Sequence, residues 1–126
     1  MSECPFCSIQ QDKIIVQDSL SLTVRDTLPV SPGHTLILPK RHIASIFQAT
    51  KEEVAALWEA LQTARNGLLK ELSPDGFNIG INDGLASGQT ILHLHIHIIP
   101  RYKGDMPDPR GGIRWIFPEK AVYWKE

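Results

Sequence analysis

Residues 93–101 read HLHIHIIPR, so His93, His95 and His97 alternate with single aliphatic residues, and three of the chain's five histidines lie in this stretch. A period of two is that of an extended strand. It places the three imidazoles on one face and Leu92, Leu94, Ile96 and Ile98 on the other, toward a core. The aliphatic side chains account for burial, but aligned imidazoles have little packing reason to exist. The chemistry of the ring leaves three readings. The face is a solvated surface that happens to be rich in histidine. Or it binds a metal, since histidine is a common zinc ligand, although an HxH pair on one strand needs ligands from elsewhere. Or it does nucleophilic or acid–base catalysis near neutral pH, with neighbouring imidazoles and backbone carbonyls fixing each tautomer.

Those side chains need a framework. Lys51 to Leu72 reads as one long helix: Thr50 is its N-cap and Glu53, three residues on, completes a capping box. Val54, Leu57, Trp58, Leu61, Leu68 and Leu72 mark one helical face, and Ser73, Pro74, Asp75 and Gly76 end it. FNIGIND at 77–83 alternates as a strand, and TILHLHIHII at 90–99 as a second one. Upstream, SLTVRD at 21–26 and HTLILPK at 34–40 form a strand pair around the loop TLPVSPG. KRHIASIF at 40–47 reads as a short helix. Mixed strands with one long helix predict an α+β fold built on an antiparallel sheet.

The 126 residues suit one domain spanning 1–126, and 42% apolar content suits a packed core. Thirteen basic and 14 acidic residues give a net charge of −1, which argues against a nucleic-acid scaffold or an anionic-membrane binder. No apolar run approaches the roughly 20 residues that span a bilayer. The start, MSECPFCSIQQDK, has neither a basic opening nor an apolar stretch of the signal-peptide kind, so a cytoplasmic location is expected. There Cys4 and Cys7 stay reduced, and a structural disulfide is a poor reading of them. Their C-x-x-C spacing alone is compatible with redox chemistry, metal binding or neither. The tail from 106 to 126 is expected to dock on the domain or on a partner through Trp115, Phe117, Tyr123 and Trp124.

HLHIHII resembles the motif of the histidine triad (HIT) superfamily, His-φ-His-φ-His-φ-φ with φ apolar, at all seven positions. The resemblance extends through GQTILHLHIHIIPR, PGHTLILPKRH at 32–42, NDG at 82–84, the long helix and CPFC, covering most of residues 4 to 105. It implies a HIT-like fold, a two-fold homodimer and a purine nucleotide or dinucleoside polyphosphate substrate. The closing GGIRW resembles only a subset of the family.

The resemblance implies specific roles. His95 would attack the α-phosphorus to give a covalent nucleotidyl-histidine that water resolves, and His97 would donate to the phosphate oxygens. Gln89 and Thr90 would contact the phosphate and its leaving side, Asp26 the ribose hydroxyls, and Asn82 the nucleotide. Taken alone, Asp26 in DTLP and Asn82 before Asp83-Gly84 read equally as turn residues. His34 would support the site. Phe6 and Ile9 read either as an apolar base pocket or as core. Cys4, Cys7, His42 and His93 would bind structural zinc as a Cys₂His₂ set. Arg101, Lys103, Arg110 and Arg114 are candidate contacts for distal phosphates, or else solvated charge. The implied activity is hydrolysis of nucleotidyl phosphoanhydrides, diadenosine polyphosphates first. A purine nucleoside phosphoramidase is the alternative enzyme. A non-catalytic nucleotide-binding or zinc-stabilised interaction module is the alternative of another class.

Overall fold

Helix α1 spans Lys51–Leu72 in the computed structural model, which describes residues 4–125. Residues 1–3 and 126 of the expected domain lie outside the described residues. The predicted capping box is formed: the Glu53 amide donates to Thr50 Oγ1 at 3.0 Å, and the Thr50 amide donates to Glu53 Oε1 at 2.8 Å. Of the expected apolar face, Leu57, Leu61 and Leu68 are buried, whereas Val54, Trp58 and Leu72 remain exposed. The buried stripe is narrower than the sequence suggests because Ala60 and the Glu53 side chain fill part of the contact.

Five strands form one antiparallel sheet in the order β1-β2-β3-β5-β4: β1 Ile14–Gln17, β2 Ser21–Arg25, β3 Thr35–Pro39, β4 Gly76–Gly80 and β5 Ile96–Arg101. With α1 they make the expected α+β architecture. The segment 40–47 is not a helix of the expected length; it is irregular, with a single 3₁₀ turn at Ile46–Gln48.

The alternation of each strand divides the interior into two layers. Ile37, Leu94, Ile96 and Ile98 pack under α1 with Leu57, Leu61 and Leu68. Leu22, Val24, Leu36 and Leu38 point through the opposite face and meet Phe6, Ile9 and Ile14 of the N-terminal segment. Register pairs Leu36 of the central strand β3 with His97 of β5, so the last histidine of the motif shares the face away from the helix.

The 90–99 strand is shorter than predicted. Only Ile96 onward belongs to β5; residues 91–95 lie outside the ladder, and the chain bends at 91–93. Pro39, the last residue of β3, has no N–H to continue the pairing. The chain after it takes over instead: the Leu94 amide donates to the Ile43 carbonyl at 2.7 Å. Leu92 consequently escapes the core and is 48% exposed, a correction to its expected burial.

Gly33 adopts φ +89°, and a Cβ there would lie 2.7 Å from Leu72 Cδ1 and 2.9 Å from Leu68 Cδ2. The turn into β3 therefore abuts the end of α1, just before His34.

Candidate functional site

Both His93 and His95 lie ahead of β5, and their rings still share a side with His97. The His95 and His97 ring centroids are 5.1 Å apart. His95 Nδ1 sits 2.8 Å from the carbonyl oxygen of His93. A carbonyl can only accept, so the proton is on Nδ1 and the Nε2 lone pair is left for other chemistry.

A second chain of bonds orders His97. The Val30 amide donates to His34 Nδ1 at 3.2 Å, so a neutral His34 carries its proton on Nε2. That nitrogen faces His97 Nδ1 at 2.9 Å and Asp26 Oδ2 at 3.4 Å. His97 Nδ1 is thereby the acceptor and His97 Nε2 carries a proton available for donation. Burial pushes the affinity of His34 for a further proton below the ordinary histidine value, and the Asp26 carboxylate partly opposes this. Burial does the same to His97, with His95 and His34 adding to the effect. Both rings are accordingly neutral at pH 7, which this proton arrangement requires. With both rings neutral, the His95–His97 pair comprises one imidazole with an open lone pair on Nε2 beside one with an open Nε2–H.

Asp26 also accepts from the Leu28 amide at 2.9 Å, as the turn reading of DTLP anticipates, and it closes the His34–His97 group. The turn role and the site role coexist in one carboxylate.

Gln89 departs from its expected contact with the nucleotide. It is buried, its amide donates to the carbonyls of Ala44 and Ile91, and its side-chain oxygen accepts from the Gly84 amide. Its hydrogen-bonding capacity goes into joining three loop segments. Thr90 and Asn82 are exposed, Thr90 directly before the histidine segment and Asn82 on the loop after β4.

On the other side of His95, four donors converge: Cys4 Sγ, Cys7 Sγ, His42 Nδ1 and His93 Nδ1. His42 Nδ1 lies 3.1 Å from both His93 Nδ1 and Cys7 Sγ, and the two sulfurs each lie 3.6 Å from His93 Nδ1. Tetrahedral zinc with ordinary bond lengths separates nitrogen pairs by about 3.3 Å and nitrogen–sulfur pairs by about 3.6 Å. The His42–His93 pair and both sulfur–His93 pairs lie close to those values, and Cys7 and His42, about 0.5 Å nearer than the ion would hold them, need only a small separation to accept it. His93 Nε2 donates to the Pro39 carbonyl at 2.8 Å, which frees Nδ1 as a ligand and fixes the ring plane. His93 is fully buried, so it belongs to this cluster and not to an open imidazole row.

The tail arginines are bound within the protein. Arg101 pairs with both oxygens of Asp105 and with Asn78 Oδ1. Arg114 donates to the carbonyls of Lys120 and Ala121 and lies over Tyr123. Arg110 pairs with Asp108 and lies over Trp124. These contacts fold the tail, from a 3₁₀ segment at Gly112–Ile116 into a short helix α2 at Pro118–Ala121. Trp115 and Trp124 are partly buried, but Phe117 and Tyr123 remain exposed.

The structure brings together the four residues that the sequence grouped as a cluster, Cys4, Cys7, His42 and His93, and sets His95 beside His97. Sequence reasoning named His34 only as support, because the contact that gives that ring its role is made 63 residues away in the chain.

Residues 8–104 match the HIT domain family model, and the chain belongs to that family. It is 40% identical over 97 residues to a bis(5'-adenosyl)-triphosphatase of Dictyostelium discoideum, covering 77% of this chain and 65% of that protein. It is 37% identical over 108 residues to the adenylylsulfatase HINT3 of Arabidopsis thaliana, covering 82% and 55%. The chain thus spans between about half and two-thirds of the length of these two relatives. Among solved structures, a zinc-bound histidine triad family protein from Mycobacterium smegmatis superposes with a TM-score of 0.74 at 35% identity, covering 84% of each chain. A HIT family member from Bacillus subtilis superposes with a TM-score of 0.76 at 34% identity, covering 82% and 76%.

Proposed function

We propose that this protein hydrolyses nucleotidyl phosphoanhydrides, with dinucleoside polyphosphates as its first substrate class. The observation that carries the reading is the His95 Nδ1 bond to the His93 carbonyl, which makes Nε2 the lone-pair nitrogen of the neutral ring beside His97. Support also comes from relatives named for bis(5'-adenosyl) triphosphate and for adenylyl sulfate.

The reaction runs in two displacements. The His95 Nε2 lone pair forms a bond to the α-phosphorus while the bond to the leaving oxygen breaks, its electron pair departing with the leaving group. Water then attacks the same phosphorus, loses a proton to solvent, and the nitrogen–phosphorus bond breaks to restore the ring. Splitting one displacement into two lowers each barrier. His97 Nε2–H donates to the phosphate oxygens as negative charge gathers on them. Asp26 accepts from the ribose hydroxyls with its remaining lone pairs, and Thr90 and Asn82 contact the phosphate and the nucleotide.

Zinc in the Cys4, Cys7, His42 and His93 cluster is structural in this reading. When bound it supplies rigidity, tying the N-terminal segment to the backbone that carries His95. A two-fold homodimer also belongs to the reading, supported by the edge strand β4, on which Ile79 is exposed, as is Ile81 just after it. No helix among the described residues is long and apolar enough to cross a membrane.

His95→Ala is the direct test. Hydrolysis of bis(5'-adenosyl) triphosphate is expected to fall by at least about 10³-fold while nucleotide binding persists. Turnover retained in that variant would remove the basis of the assignment.

A further inference from the structure

The CPFC turn carries two sulfurs and, between them, an aromatic ring. The Cys7 amide donates to the Cys4 carbonyl at 3.2 Å, closing the turn. The Phe6 ring then lies edge-on to His95, with centroids 5.0 Å apart and planes at 77°. It is also edge-on to His93, at 5.9 Å and 87°. His97 lies against His95 as well, at 5.1 Å and 62°.

We propose that Phe6 is a positioning residue for the His95 imidazole, and that the Cys4, Cys7, His42 and His93 cluster holds Phe6 there. This rests on the reading of His95 as the nucleophile. A hydrogen bond at Nδ1 pins one atom of the ring; it does not stop the ring from swinging about that bond and carrying Nε2 off line. Phe6 and His97 restrict that swing. Phe6 is in turn fixed at both of its flanks, because Cys4 and Cys7 each reach the His93 donor at 3.6 Å. A cation bound by the four donors draws both ends of the turn onto His93 and leaves Phe6 no outward path. The His93 residue joins the two centres twice over: its side chain belongs to the cluster and its carbonyl accepts the hydrogen bond from His95 Nδ1. The cluster, though structural, thus bears on the aim of the nucleophile.

A wall for the nucleotide base is the competing role for Phe6, and it has a different kinetic signature. A base wall alters KM. A brace on the nucleophile alters kcat, because it acts after the substrate is bound.

The experiment compares full-length Phe6→Ala, Phe6→Leu and Cys7→Ser proteins, each assayed for zinc content. kcat and KM are measured with bis(5'-adenosyl) triphosphate. The side-chain ¹⁵N signals of His95 are recorded without nucleotide, which reports ring order independently of turnover. Phe6→Ala is expected to keep its zinc, lose about tenfold in kcat with KM within about twofold, and show broadened His95 signals. Phe6→Leu restores most of kcat, because the brace is steric. Cys7→Ser loses zinc and reproduces the Phe6→Ala signature. A raised KM with unchanged kcat in Phe6→Ala would overturn the proposal in favour of a base wall. Metal-free Cys7→Ser with normal kcat and sharp His95 signals would overturn the role of the cluster. If His95→Ala itself turned over normally, the catalytic reading would fail, and the ¹⁵N comparison would still decide whether Phe6 orders the ring.

Discussion

His34 is a buried imidazole whose contribution is the proton arrangement it imposes on its neighbour. Replacing it with Ala removes the donor to His97 Nδ1 and lets His97 place its proton there, where it cannot reach a phosphate. The expected loss is on the order of 100-fold in kcat, with nucleotide affinity changed little. Side-chain ¹⁵N spectra of His97 check this directly, by a shift of the protonated position from Nε2 toward Nδ1. Unchanged His97 spectra with lowered activity would show that His34 acts another way. The aligned imidazoles, the paired thiols and Asp26 stood out in the sequence, but their spacing alone left several uses open; the structure gathers all but His95 into two groups. The loop contacts of Gln89 were not legible, because an amide looks the same in sequence whether it faces a ligand or three loop segments. Its fourfold capacity for hydrogen bonds suits either task.

Local rules settled some elements more firmly than others. The boundaries of α1 followed from its capping box and its Ser-Pro-Asp-Gly stop, because those signals act within a few residues. Strand β5 was half legible. Alternation reports extended backbone, but ladder pairing depends on the neighbour, and here Pro39 ends it. Strand β1 carried no usable signal, being four residues long with an irregular register against β2. The N-terminus of α1 also carries a pH dependence. Glu53 is held down to about 2 from an ordinary 4.5, first by the Arg41 guanidinium, which bonds both its oxygens, and then by the Thr50 amide. A depressed carboxylate stabilises the fold above its unfolded value and loses that contribution as acid protonates it. Stability is therefore expected to fall between about pH 4.5 and about pH 2, and Glu53→Gln should flatten that part of the curve. Urea midpoints measured across the window for both proteins provide the check. Arg41 immediately precedes the cluster ligand His42, so the same contact anchors that loop to the helix.

At the scale of the molecule, the sheet keeps two tasks apart. One face is committed to α1 and aliphatic packing, and the other carries the imidazoles and the N-terminal segment. That division was implied by the alternation; that the N-terminal segment covers the second face followed only from the family resemblance, which groups Cys4 and Cys7 with His42 and His93, because no local pattern links residues so far apart in the chain. Metal removal tests how far the molecule relies on that closure. Protein purified without metal-affinity resin is expected to hold about one zinc per chain, and stripping it should lower Tm by about 5 °C or more, restored on adding zinc back. Less than about 0.2 equivalents in the native protein, or an unchanged Tm after stripping, would count against a structural ion.

The tightest junction between the two faces is Gly33, where leucines at the end of the helix press on the chain one residue before His34. A side chain there meets two obstacles at once, a backbone angle suited to glycine and a space already taken. Relief at only one of them leaves the other, so a single compensating change at position 68 or 72 does not rescue it. Even where the leucine ends swing aside, the backbone angle still disfavours a side chain at 33, so the turn before His34 holds the helix end and the imidazole chain at one separation.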